Sequence, residues 1–154
     1  MSVVDSSVMM HIPGWVFLPN PIKYWLDRRA RIIQAGRDFR ATVLEELSGL
    51  YPIPSNWPKG AGIEPVLKEK FPALQIAVET FKPFLSDKKR AEFDRAWVTF
   101  FCAIKGRRVQ TYHHYMNITS ASANSFGGET VITNDGKTTF KRNVDHLLSF
   151  ANGS

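Results

Sequence analysis

Apolar side chains recur at helical spacing from Ile22 onward. They fall three or four positions apart, through Trp25 and Leu26, as far as Leu50. That period is typical of an amphipathic helix, so the pattern predicts one long first helix. Its first half carries six basic residues against two acidic ones, whereas its second half is more apolar. A helix of this kind enters a core at one end and meets water or an anionic surface at the other.

Prolines interrupt the pattern next. Residues 51–62 contain three prolines and predict a loop, because proline lacks the amide donor and restricts the residue before it. A short helix is predicted from Glu64, with Pro65 in its first turn. Helical spacing restarts at Pro72 and runs to Phe81, which predicts a separate helix there.

An aromatic stripe marks the following helix. Ser86 and Asp87 offer an N-cap, and Gly106 is suited to end the helix. The stripe consists of Phe93, Trp97, Phe100, Phe101 and Ile104. We expect these side chains to face the core.

The segment before the last helix is rich in Ser, Asn, Thr and Gly. The Asn-Asp-Gly run at 134–136 is a strong turn signal, and it predicts a short hairpin between residues 130–133 and 138–140. The last helix is predicted to run to Ala151, with Thr138 or Thr139 as its cap.

The number and spacing of these elements predict an all-α fold. We expect a small helical bundle of four main helices plus one short helix, with a long irregular loop or a small hairpin before the last helix. The predicted organisation is an N-terminal tail at 1–20 and a single helical domain at 21–151, with a flexible loop at about 107–137.

The chain is basic, with a formal net charge of +6 over 154 residues. Such a field concentrates polyanions, which include nucleic acid and anionic lipid headgroups. The predicted anion-binding face lies on the first helix and consists of Arg28, Arg29, Arg31, Arg37 and Arg40. The apolar run at 8–18 is interrupted by Pro13 and Gly14 and is shorter than the roughly 20 residues of a membrane span. We therefore expect it not to cross a membrane.

The residue types and their spacing do not indicate a metal or cofactor site. The single cysteine, Cys102, excludes an intrachain disulfide framework and a zinc site built from several thiolates. His11 and His146 stand apart from other ligand types at metal-binding spacing. The sequence also has no Ser/His/Asp grouping and no glycine-rich phosphate loop. We therefore predict no metal and no cofactor.

One segment resembles a catalytic motif. Arg107 and Arg108 precede His113 at a spacing similar to the Arg-x4–6-His signature of the HEPN ribonucleases. The resemblance implies that arginine stabilises phosphate charge, while histidine assists proton transfer at the ribose 2′-hydroxyl without a metal. In that superfamily the two residue types lie on one continuous helix, whereas Gly106 is placed to end the helix here.

The same segment is aromatic. An alternative function is nucleic-acid binding without cleavage, because aromatic groups beside arginines fit the stacking of unpaired bases. The residues concerned are Tyr112, His113, His114, Tyr115 and Met116. The more common interpretation is that such residues pack over the end of a bundle.

Four blocks in order resemble a group of short bacterial proteins of unknown function. They are residues 48–58, 71–85, 93–97 and 143–151, within a match from about Tyr24 to Ala151. That family has one N-terminal membrane-spanning helix, an arginine-rich flank and a small cytosolic helical domain. The resemblance implies no activity. This chain departs from the pattern at residues 1–18, although its basic first helix matches the flank that the positive-inside rule describes.

These observations predict a helical binding or scaffold module rather than an enzyme. Its expected partner is an anionic lipid surface or another protein, and its expected location is the cytoplasm, including the inner face of the membrane. The metal-independent ribonuclease and non-catalytic nucleic-acid binding are the alternatives. The sequence does not indicate an oligomeric state.

Overall fold

The computed structural model describes residues 21–58, 60–116, 119–123, 129–133 and 135–152. The predictions for the tail at 1–20 lie outside these residues. The helices and strands are α1 (Pro21–Glu46), α2 (Ile63–Phe81), α3 (Asp87–Phe101), β1 (Thr119–Ala123), β2 (Glu129–Thr133) and α4 (Gly136–Ser149). Short 3-10 helices occupy Gly60–Gly62, Lys82–Phe84, His113–Tyr115 and Phe150–Asn152.

The four α-helices share one core. The rings of Phe39 and Phe81 stack with 4.8 Å between centroids, and Phe93 meets both edge-on at 5.5 and 5.6 Å. Trp97 and Leu147 belong to the same buried cluster. α1 packs on α2, and α3 packs on α4. The predicted all-α bundle is confirmed.

The first helix is present but ends earlier than its apolar pattern. α1 stops at Glu46, and Gly49 then adopts a φ of 86°, a left-handed conformation that a helix does not contain. Leu47 and Leu50 are still buried, because the turn after the helix keeps both side chains against the core. Apolar spacing therefore predicts the buried positions correctly, but it places the end of the helix four residues too late.

The prediction of two separate helices around Pro72 is wrong. α2 is continuous from Ile63 to Phe81, with Pro72 inside it. Proline removes one helical hydrogen bond. The buried stripe nevertheless continues on both sides of it, through Leu67 and Leu74, so the burial of one uninterrupted face outweighs the local defect. Pro72 itself is exposed.

The third helix also ends before the predicted residue. α3 stops at Phe101, and Gly106 lies in a later turn with a φ of 80°. After Gly106 the chain returns to the end of α3, where the Thr111 amide donates to the Phe101 carbonyl at 2.9 Å. Ile104 is consequently exposed rather than part of the aromatic stripe.

The hairpin before α4 forms between different segments from those predicted. β2 contains the predicted residues 130–133, but it pairs antiparallel with β1 rather than with residues 138–140. Residues 138–140 belong to α4. The cap of α4 is Asp135, whose carboxylate accepts hydrogen bonds from the Thr138 amide and hydroxyl. Asp135 and Gly136 thus begin a helix rather than a hairpin turn, because Asp is among the best N-cap residues.

Candidate anion-binding surface on the first helix

The first half of α1 extends beyond the core. Residues 21–31 are all exposed, and the first buried residue of the helix is Gly36. The exposed apolar side chains of this half include Ile22, Trp25 and Leu26. A large exposed apolar surface next to charge is a common mark of an interaction site.

Apolar and basic residues share one side of this helix. A helix turns by about 100° per residue, so positions four and seven apart lie on the same side. On this count one side of α1 carries Ile22, Trp25, Leu26, Arg29, Ile33, Arg37 and Arg40. We call this set the ridge face. All seven side chains are exposed.

Arg29 and Trp25 contact each other on the ridge face. The guanidinium carbon of Arg29 lies 5.4 Å from the centroid of the Trp25 ring. This distance is within the range of a cation–π interaction, which holds a cation against an aromatic face. The pair therefore presents an indole and a positive charge at one point of the surface.

Arg31 lies on the side of α1 opposite the ridge face, and Arg28 lies between the two sides, where it also lines a pocket with Trp25 and Arg29. Arg28 and Arg31 face the start of α3 across a groove of 670 Å³, which Lys89 and Arg90 also line. We call it the arginine groove. Its apolar wall consists of Tyr24, Ile32, Pro83, Phe84 and Leu85. Asp87 is the one carboxylate among the lining residues.

The wall of the arginine groove is held by hydrogen bonds. The Arg90 guanidinium donates to the Leu85 carbonyl at 3.1 Å and pairs with the Asp87 carboxylate at 3.2 Å. The Lys82 ammonium lies 2.7 Å from the Asp94 carboxylate, which raises the pKa of Lys82. These contacts fix the chain between α2 and α3 against α3. The groove is therefore shaped before any ligand arrives.

The five predicted anion-binding arginines are exposed but do not form one face. Arg29, Arg37 and Arg40 lie on the ridge face, whereas Arg28 and Arg31 line the groove. Lys89 and Arg90 are not predicted from the sequence, because they line the same groove as Arg28 through the packing of α3 and not through sequence proximity. Their position in the first turn of α3 is the feature of the sequence that could have indicated them.

The residues of the predicted ribonuclease motif do not share a helix. Arg107 and Arg108 lie in an exposed loop after α3, and His113 begins a 3-10 helix. The pKa of Glu64 is lowered, chiefly by a hydrogen bond from Lys68 and to a smaller extent by the nearby His113. The continuous helix that the ribonuclease arrangement requires is absent, because α3 ends at Phe101.

The aromatic residues of the same segment are part of the core. Tyr112 and Tyr115 are fully buried, so their rings are inaccessible to bases. The Tyr115 hydroxyl donates to the Phe100 carbonyl at 2.8 Å and accepts from the Asn143 amide at 2.9 Å. The interpretation that they pack over the bundle is confirmed for these two residues.

His114 lies between the core and the surface. Its ring centroid is 3.9 Å from that of Tyr115. Burial lowers the pKa of His114, and contacts with the backbone of Phe100 and Thr111 only partly offset this effect. The neutral form of the ring is therefore favoured in the folded protein.

No described group of three or more His, Cys, Asp and Glu side chains is arranged to hold a metal ion. Among the same residues, no helix is both long enough and apolar enough to cross a membrane. No protein-family model, curated protein or solved structure matches the chain. The resemblance to the bacterial membrane-anchored family stays a prediction.

Proposed function

We propose that this protein is a non-catalytic binding module that attaches to an anionic membrane surface through the ridge face of α1. The observation that carries the proposal is the exposure of Trp25 and Leu26 beside Arg29 on a helix that extends beyond the core. Helices that lie in the headgroup region insert aromatic and aliphatic residues and keep basic residues on their polar face. On the ridge face the two types are mixed, and a long arginine side chain can cover apolar surface while its charged end stays among the headgroups. The net charge of +6 adds long-range attraction to anionic lipid.

The two residue types act over different distances. Each arginine near an anionic leaflet contributes roughly 1 kcal/mol, so Arg29, Arg37 and Arg40 together account for roughly 3 kcal/mol, or about a hundredfold in affinity. Trp25 and Leu26 contribute further by leaving water when they enter the headgroup region. Both contributions are needed, because a single weak anchor gives only marginal binding.

Co-sedimentation with vesicles tests the charge contribution. The wild-type protein is expected to pellet with phosphatidylserine/phosphatidylcholine vesicles and not with phosphatidylcholine alone. Replacing Arg29, Arg37 and Arg40 by Gln should weaken binding by about a hundredfold. A matched triple variant removes the same charge elsewhere, at the exposed residues Arg95, Arg108 and Arg142. Equal loss in both triple variants would show that only net charge matters and would contradict the ridge face.

A second pair of variants tests the apolar contribution. Trp25→Ser with Leu26→Ser removes two side chains that are 55% and 53% exposed, and its control, Ile76→Ser with Val109→Ser, removes two that are 68% and 54% exposed. Only the first variant should lose vesicle binding. A wild-type protein that stays in the supernatant with anionic vesicles at low salt would exclude the proposed function.

A further inference from the structure

We infer that the arginine groove binds a small phosphate ester, with the phosphate between Arg28 and Arg31 and the organic part against the apolar wall. No ridge-face residue lines this groove, although Arg28 also lines a smaller pocket with Trp25 and Arg29. The inference therefore does not rest on the proposed membrane attachment.

The cations of the groove outnumber its carboxylates. Arg28, Arg31, Lys89 and Arg90 line it, against Asp87 alone. Arg90 is already committed to the Leu85 carbonyl and to Asp87, so it holds the wall and contributes charge rather than donors. Arg28 and Arg31 have no hydrogen bond or ion pair with any other residue in the described part of the chain. Their guanidinium groups are the donors that a ligand would meet.

The chemistry of these donors favours phosphate. A guanidinium presents several N–H donors in a fixed plane, and two of them can bind two oxygens of the same anion. A phosphate monoester carries three terminal oxygens and close to two negative charges at neutral pH, so it suits two guanidinium groups better than one carboxylate does. The number of positive charges and the number of hydrogen-bond donors therefore both favour a phosphate monoester.

The apolar residues of the groove lining indicate that the ligand has an apolar part. Tyr24, Pro83 and Phe84 line the groove from α1 and from the 3-10 helix Lys82–Phe84. A volume of 670 Å³ accommodates a small organic molecule and greatly exceeds that of a phosphate ion. A ring or short apolar group on the ester would cover the exposed surface of Tyr24 and Phe84.

Titration calorimetry with phenyl phosphate tests the inference. We expect saturable binding at one site, weaker binding of inorganic phosphate, and still weaker binding of phenylacetate, whose anion is a carboxylate. Arg28→Gln with Arg31→Gln should weaken phenyl phosphate binding at least about tenfold, because both charged hydrogen-bond donors are lost. The control is Arg95→Gln with Arg142→Gln, which removes equal charge from exposed positions outside both surfaces and should change binding less than about threefold.

Vesicles distinguish a soluble ester from a lipid phosphate. Phosphatidic acid carries a phosphate monoester, so a preference for it over phosphatidylserine that disappears in the Arg28/Arg31 variant would assign the site to a lipid headgroup. Phenyl phosphate binding without that preference would assign it to a soluble ester. Absence of saturable phenyl phosphate binding at 150 mM salt together with no phosphatidic acid preference would overturn the inference. Equal weakening in both double variants would do the same, because it would reflect diffuse charge.

Discussion

Gly36 lies where α1 packs closely against the 3-10 helix Phe150–Asn152. A Cβ atom added at this position would lie 2.8 Å from the Ala151 carbonyl oxygen, which belongs to the backbone. Helix propensity disfavours glycine inside a helix by about 1 kcal/mol relative to alanine. The close approach therefore explains why a poor helix former occupies a buried position of α1.

Gly36→Ala should destabilise the protein in spite of the better helix propensity. Crowding a packed contact costs about 1–3 kcal/mol, which exceeds the gain of about 1 kcal/mol from alanine. We expect a net loss of up to about 2 kcal/mol in the free energy of unfolding, measured by urea denaturation. Ala41→Gly, at an exposed position of the same helix, measures the propensity effect alone. A Gly36→Ala variant more stable than wild type would contradict the contact.

His114 should make stability depend on pH in the range where histidine titrates. Burial lowers the pKa of His114 below its ordinary value of 6.5, so the unfolded chain binds a proton more readily than the folded one. The free energy of unfolding is then highest above pH 6.5 and falls as the pH decreases toward the folded-state pKa. The slope is at most about 1.4 kcal/mol per pH unit for one proton.

Urea denaturation between pH 5 and pH 8 measures this dependence. His114→Gln should flatten the slope between pH 5 and pH 6.5, whatever its effect on overall stability. His146→Gln is the control, because it replaces an exposed histidine that is not among the groups acting on His114, and it should leave the slope in place. An unchanged slope in the His114 variant would mean that another group is responsible.

At the scale of elements, local signals indicated which segments are helical but not all of their ends. The buried stripe of α2 is visible in the sequence, yet Pro72 predicts a boundary that the helix does not have. Packing of the continuous apolar face decides that helix, and packing is not a local property. The same holds for Ile104, which follows the aromatic stripe in spacing but lies beyond the end of α3 and is exposed.

The candidate site was predictable only in part for the same reason. The basic character of α1 can be counted directly from the sequence. The division of its arginines into two sides follows from helical geometry once the helix is established. Arg28 and Arg31 line the same groove as Lys89 and Arg90 because of how α3 packs. The periodicity within a single segment does not predict that packing.

The start of α4 depends on Asp135. Its carboxylate accepts from the Thr138 hydroxyl and amide, and these hydrogen bonds lower the pKa of Asp135. Asp135→Ala should lower the melting temperature by a few degrees, because the first turn loses its cap. Asp135→Asn retains a side-chain acceptor and should melt close to wild type in circular dichroism. An Asp135→Ala variant as stable as Asp135→Asn would show that the cap contributes nothing measurable.

At the scale of the whole molecule, the exposed half of α1 carries both proposed binding surfaces. The ridge face and the arginine groove share no residue, although Arg28 of the groove also lines a pocket with Trp25 and Arg29. Membrane contact through the ridge face would leave Arg31 on the other side of α1. The two proposals together therefore describe a protein that attaches to a surface while its groove binds a phosphate ester.

This arrangement predicts that the two ligands bind at the same time. Saturating phenyl phosphate should leave the fraction of protein pelleted with phosphatidylserine vesicles unchanged, relative to sodium chloride added to the same ionic strength. The salt control is necessary because added ions screen the attraction of Arg29, Arg37 and Arg40 to the vesicle. A decrease beyond that control would mean that the ester and the lipid compete for the same arginines. The division of α1 into two functional sides would then be wrong, even if each ligand binds alone.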